Sequence, residues 1–199
     1  MTIQQVIRST TAALVFVLPV QLLAQPAYMH PDSGYLFPAY LGSTDTKEFV
    51  RAEIEHYPDK NLGTRVSYKN GIAGCFADFY LYNHGHSRIP DGPESDVVLE
   101  TFSESEANIF EYARRGVYDN LRRLTPPGEV TPKYFESPPF RMSIFEYEVS
   151  GELRVSWLLV TGSRQHFLKI RCTCLASESR QAIDATTRLI TSFFEANKD

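Results

Sequence analysis

The chain has 199 residues, 43% of them hydrophobic and 22% charged, with 11 Tyr and 13 Phe. That composition excludes a disordered chain, because enough apolar surface is available to offset the entropy of ordering. A net charge of -4 and a pI near 5.8 supply no basic field for holding nucleic acid.

The first 24 residues differ in character from the rest of the chain. Arg8 provides a positive start, and Thr11 to Ala24 (TAALVFVLPVQLLA) an apolar run of about fourteen residues, the pattern of a secretory leader. The run is shorter than the roughly 20 apolar residues a bilayer span needs, and Pro19 and Gln21 interrupt it. Cleavage is expected after Ala24, even though Leu22 is larger than the residue usually found there. No Cys sits at the cleavage site, which disfavours a lipid-anchored lipoprotein. The expected product is a periplasmic or secreted chain starting at Gln25, with no stable membrane span; the alternative is a leader kept as an uncleaved anchor. Removing Arg8 with the leader leaves 19 basic against 24 acidic residues, net -5. The remaining length, residues 25–199, suits a single domain.

Gln25 to Gly34 reads as an extended lead-in. Tyr35 to Leu41 is apolar but carries Pro38, which suits a short edge strand or a packed loop. Phe49 to Tyr57 partly alternates, and Pro58-Asp59 ends it. Leu62 to Lys69 and Cys75 to Asn83 form the clearest hairpin, with Asn70-Gly71 and Gly74 at its turn. On the second strand Cys75, Ala77, Phe79 and Leu81 share a core face. Phe76, Asp78, Tyr80 and Tyr82 share the other, which is aromatic enough to lie under a helix or to form a binding surface.

After Asp91-Gly92-Pro93 the period becomes helical, with Val98, Phe102, Ile109, Ala113 and Val117 forming a stripe and Gly116 closing the helix. Next comes a Pro-rich connector from Leu121 to Glu136, with a short strand near Asn120–Leu124. Strands are expected at Phe140–Val149, Leu153–Thr161 and His166–Leu175, with turns at Ser150-Gly151 and Gly162-Ser163. A last helix from about Glu178 to Asn197 carries Ala182, Thr186, Leu189, Ile190, Phe193 and Phe194 on one stripe. Strands in hairpin runs with two stripe-bearing helices predict an α+β fold, an antiparallel sheet of six to seven strands with two main helices packed on it.

This order and these strand lengths resemble the PsbP/Mog1-type sandwich. The wording VSYKNG, FYLYNHG, IPDGP and LLVTGSRQHFLKIR is also similar to that of an uncharacterised family of exported bacterial proteins. The resemblance implies the fold and the export, and no mechanism.

His84 and His86 stand one glycine apart at a strand end. If strand geometry persists, both imidazoles point to one side and could share a metal, with Asp78 or Asp91 as an oxygen ligand. The ordinary alternative is a solvated loop. His56 and His30 are too poorly placed in sequence to add to it. Cys172 and Cys174, two apart on a strand, are poorly placed to bond each other. Cys75 could bond either one if their strands adjoin, but the core faces they share favour three buried thiols. Arg154, Lys169 and Arg171 fall on the non-core faces of two strands, with Arg164 in the turn, and offer an anion- or partner-binding patch. A solvated cationic face is the ordinary reading of such residues.

No G-x-S-x-G, Walker loop, H-E-x-x-H or G-x-G-x-x-G occurs, so neither an enzyme class nor a cofactor is indicated. The expected function is a non-enzymatic module binding an envelope protein or a small ligand. Its surface would comprise Tyr80, Tyr82, Arg88, Asp91, Arg154, Lys169 and Arg171. The alternatives are a metal-binding protein using His84 and His86, and an envelope structural or assembly factor.

Overall fold

The computed structural model describes residues 26–42, 48–71, 74–130 and 138–198; the expected leader lies outside them. These residues form eleven strands and two long helices. The strands are β1 (Tyr28–Met29), β2 (Leu36–Phe37), β3 (Tyr40–Leu41), β4 (Phe49–His56), β5 (Thr64–Asn70) and β6 (Cys75–Tyr82), then helix α1 (Asp96–Arg114). After α1 come β7 (Asp119–Arg123), β8 (Gly128–Val130), β9 (Phe140–Val149), β10 (Glu152–Ser163), β11 (His166–Leu175) and helix α2 (Ser179–Glu195). The class is α+β, with more strands than the six to seven expected. Pro38, which cannot donate to a ladder, divides the first apolar stretch into β2 and β3, and the Pro-rich connector contributes β7 and β8 as edge strands.

The main sheet is antiparallel with order β3-β4-β5-β6-β11-β10-β9-β7, and β8 also pairs with β9. It consists of two meanders, β4-β5-β6 and β9-β10-β11, joined where β6 meets β11. In that seam Ile170 lies opposite Phe79, Lys169 opposite Tyr80, and Arg171 opposite Asp78.

Because side chains alternate across a strand, each face of the sheet builds its own core. On one face Phe79, Leu81, Leu168, Ile170, Trp157 and Leu159 pack beneath α2, whose Ala185, Leu189, Ile190, Phe193 and Phe194 are buried. Ala182 is a residue whose side chain falls outside the described set. On the other face Tyr82, Phe145, Leu158, Val160 and Phe167 pack beneath Val98, Phe102 and Ile109 of α1. Gly116, at φ 70°, comes just after α1 as expected, but Val117 lies beyond the helix and is exposed. Glu106, outside the expected stripe, is also buried on α1; it accepts from the Ser143 hydroxyl at 2.6 Å and pairs with Arg123 at 3.2 Å. No helix among the described residues is long and apolar enough to cross a membrane.

Two expectations are corrected. Cys75 and Cys174 form a disulfide across the seam, leaving Cys172 as a buried free thiol, so the preference for three thiols does not hold. Antiparallel register is the reason: Cys172 falls opposite Ala77, and two residues on Cys174 comes beside Cys75. The β10–β11 turn is Arg164-Gln165, both left-handed, and not Gly162-Ser163. Gly162 sits inside β10, where a Cβ would lie 2.0 Å from the Pro90 carbonyl oxygen. It is glycine because the loop after β6 crosses there, bonded by Gly92 N–H to Gly162 O at 2.9 Å and Gly162 N–H to Gly92 O at 3.0 Å.

Candidate functional site

The alternation that gives α1 its core also sets Tyr80, Lys169 and Arg171 on the same sheet face, beyond the edge of the helix's apolar stripe. Helix α1 bridges over them and leaves a cleft of about 410 Å³, lined by these three and by Tyr57, Asn108 and Tyr112 among others. Leu158 and Ile109 continue the second core into its wall.

Lys169 is the unusual group. Its Nζ lies 4.3 Å from the centre of the Tyr80 ring and 5.4 Å from that of Tyr82. It makes no hydrogen bond or ion pair among the described residues, so its three N–H donors remain available to the cleft. Burial, joined by the Arg171 charge, lowers its pKa to about 8, with Asp78 opposing. The tyrosine faces offset part of the lost hydration through cation–π attraction.

Arg171 is held differently. Its Nε donates to the Ser156 hydroxyl at 3.2 Å, and one terminal nitrogen donates to the hydroxyls of Tyr118 and Tyr147 at 3.1 and 3.3 Å. The two tyrosine rings stack 4.2 Å apart. Neutral oxygens thus fix the guanidinium while leaving its charge in place, which adds a positive potential to that of Lys169. Asp78 is bonded by the Ser67 hydroxyl, and burial with the Asp78 charge raises the Tyr80 phenol.

The seven residues expected from sequence to form one surface divide into separate places. Tyr80, Lys169 and Arg171 meet in the cleft. Tyr82 is buried under α1, so on this strand face the helix covers the outer end. Arg154 is four residues from Leu158 along β10, about 13 Å, and pairs with Glu152 at 2.5 Å. Asp91 accepts from the Arg164 backbone N–H at 3.0 Å, and Arg88 is exposed in the same loop.

His84 and His86 do not continue the strand. β6 ends at Tyr82, and His84 has φ 50°, so the one-sided strand geometry is absent. Both rings instead flank Phe167, at 6.1 and 5.7 Å between centres. Burial lowers the His84 pKa.

A second pocket of about 400 Å³ opens near the start of β11, lined in part by His30, Asp32, His56 and His166. Sequence reasoning sets His30 and His56 aside and does not bring His166 to them. Only long-range pairing does so, and the sequence carries no local signal of it.

The sequence matches no protein-family model and no curated protein at a significant level.

Proposed function

We propose that the protein is a non-enzymatic binding module of the cell envelope, and that its ligand is a small organic anion held in the cleft beneath α1. The observation that carries this reading is Lys169: a half-buried ammonium on the cleft floor, facing open volume with all of its hydrogen-bonding capacity unused. Leaving a charge desolvated without a partner is costly, and an anion would restore what burial removes. Tyr57, Tyr80 and Tyr112 together with Ile109 and Leu158 suit a ligand that joins a carboxylate or phosphate to an apolar body. The export step rests on the leader pattern. A PsbP/Mog1-type sandwich is part of the same proposal, supported by the order of strands, helix, strands and helix with one helix on each sheet face.

Benzoate, acetate and inorganic phosphate, titrated against the mature protein by calorimetry and NMR, test the ligand class. Benzoate is expected to bind more tightly than acetate, and Lys169→Met is expected to weaken binding at least tenfold, whereas Arg154→Ala leaves it unchanged. Equal affinity in the Lys169→Met variant would sink the reading.

A further inference from the structure

The second pocket holds two imidazoles and a carboxylate brought together by distant parts of the chain. His30 comes just after β1, Asp32 lies in the turn beyond it, and His166 opens β11. One ligand atom from each lies within 4.8 Å of the others. We infer that His30, Asp32 and His166 form a binding site for a divalent transition ion of the zinc type, separate from the anion cleft and from the His84–His86 loop.

The donor set fits that ion class. Zinc takes imidazole nitrogen at about 2.0–2.1 Å and carboxylate oxygen at about 2.0–2.2 Å, and three protein ligands leave a fourth position for water. Tetrahedral ligands at those lengths stand about 3.3–3.5 Å apart, so donors already within 4.8 Å of one another need at most a small contraction. The exposed Asp32 side chain is the member free to move. His166 is half-buried, while His30 is buried and serves as the fixed member.

The surroundings orient the ligands. His166 Nδ1–H donates to the Arg164 carbonyl at 2.8 Å, which leaves Nε2 as the lone-pair nitrogen. Such a second contact commonly sets the tautomer of a metal-binding histidine. The Arg164-Gln165 turn, left-handed at both residues, places that carbonyl. On His30 the Ser33 hydroxyl lies 3.0 Å from Nδ1 and can accept its proton, which frees Nε2. The Ser33 backbone N–H, 3.2 Å from the same nitrogen, favours the other tautomer, so an ion would select between the two.

The segment bearing His30 is anchored rather than loosely draped. Arg51 donates to the carbonyls of Phe37 at 2.7 Å and Pro26 at 2.6 Å. His30 N–H bonds the Tyr35 carbonyl at 2.8 Å, and the Tyr35 hydroxyl meets the Ser163 hydroxyl at 2.7 Å. The two halves of the site are therefore fastened to each other beside the ligands. His56 lines the same pocket outside ligand distance, and Lys60, also on its wall, opposes a cation.

Equilibrium dialysis of the full mature protein against Zn(II), and visible spectroscopy with Co(II), test the site. One equivalent of metal is expected. Asp32→Asn and His166→Gln should each weaken uptake at least tenfold with circular dichroism unchanged, and the double variant His84→Gln/His86→Gln should leave it intact. Because Asp32 is exposed, its variant remains informative even if His166→Gln proves unstable. The inference is overturned if folded protein takes up no stoichiometric metal, if uptake survives Asp32→Asn, or if it depends on His84 and His86.

Discussion

The face beneath α2 and the face beneath α1 are built from alternate residues of the same strands, yet they are finished differently. Under α2 the contact is dry: Phe37, Phe79 and Phe193 meet at ring separations of 4.7 to 5.9 Å, and the Cys75–Cys174 disulfide belongs to the same core. Under α1 the apolar contact stops at Ile109 and Leu158, and the strands beyond carry Lys169, Arg171 and Asp78. A helix that covered the second face as completely as α2 covers the first would have left no cleft. One face therefore supplies stability, and the other gives up some of it to keep a cation near open volume.

That contrast can be broken by substitution. The largest effect should come from Phe193→Ala, which empties the centre of the α2 face. A cost of about 3–5 kcal/mol is expected by chemical denaturation, and a loss under about 1 kcal/mol would show that this face is not the stability element. Replacing Cys75 and Cys174 by Ala should cost about 2–5 kcal/mol, because the bond closes a separation of 99 residues in the unfolded chain. Cys172, whose thiol burial raises to about 12, should resist alkylation until the protein unfolds.

The smallest effect has the opposite sign. Lys169→Met should stabilise the fold by about 1 kcal/mol while removing anion binding. The pH dependence comes from the same group. Its folded pKa of about 8 lies below the ordinary 10.5, so between those values the unfolded chain holds more protons and stability rises with pH. Below about 8 the cost of the buried charge is fully present. Anion affinity runs the other way and should fall as pH rises through about 8. A flat binding profile there, or a destabilised Lys169→Met, would contradict the division between the faces.

Much of this architecture is legible in the order of residues. Alternation along Cys75–Tyr82 and His166–Leu175 separates the faces, and the stripes of Phe102 and Ile109 and of Leu189 and Phe193 mark the helices. What cannot be read is whatever depends on which strand lies beside which. The β6–β11 seam decides that Cys75 meets Cys174, that Lys169 rests on Tyr80, and that Arg171 faces Asp78. Gly162 reads as a turn residue because the chain that presses on it, at Pro90, is some seventy positions earlier. Glu106 escapes a sequence reading because a buried acid on a helix has no sequence pattern; Ser143 and Arg123, which satisfy it, come later in the chain. Alternation puts Tyr80, Lys169, Arg171 and Arg154 on one sheet face, but it does not tell where along that face the helix leaves a cleft, and Arg154 is set apart only by its distance along β10.

The seam disulfide also makes part of the chain a closed covalent ring running from Cys75 through α1, β9 and β10 to Cys174. The exposed stretch from His84 to Arg88, the sort of loop that proteases nick, lies inside that ring. A single cut there opens the ring without separating the pieces, which stay joined through sulfur and through the β6–β11 ladder. A cut between β11 and α2 falls outside it and would leave the helix that covers the dry face with no covalent tie to the sheet. One face of the molecule is thus insured against a broken backbone, while the lid of the other hangs on a single unbroken connection.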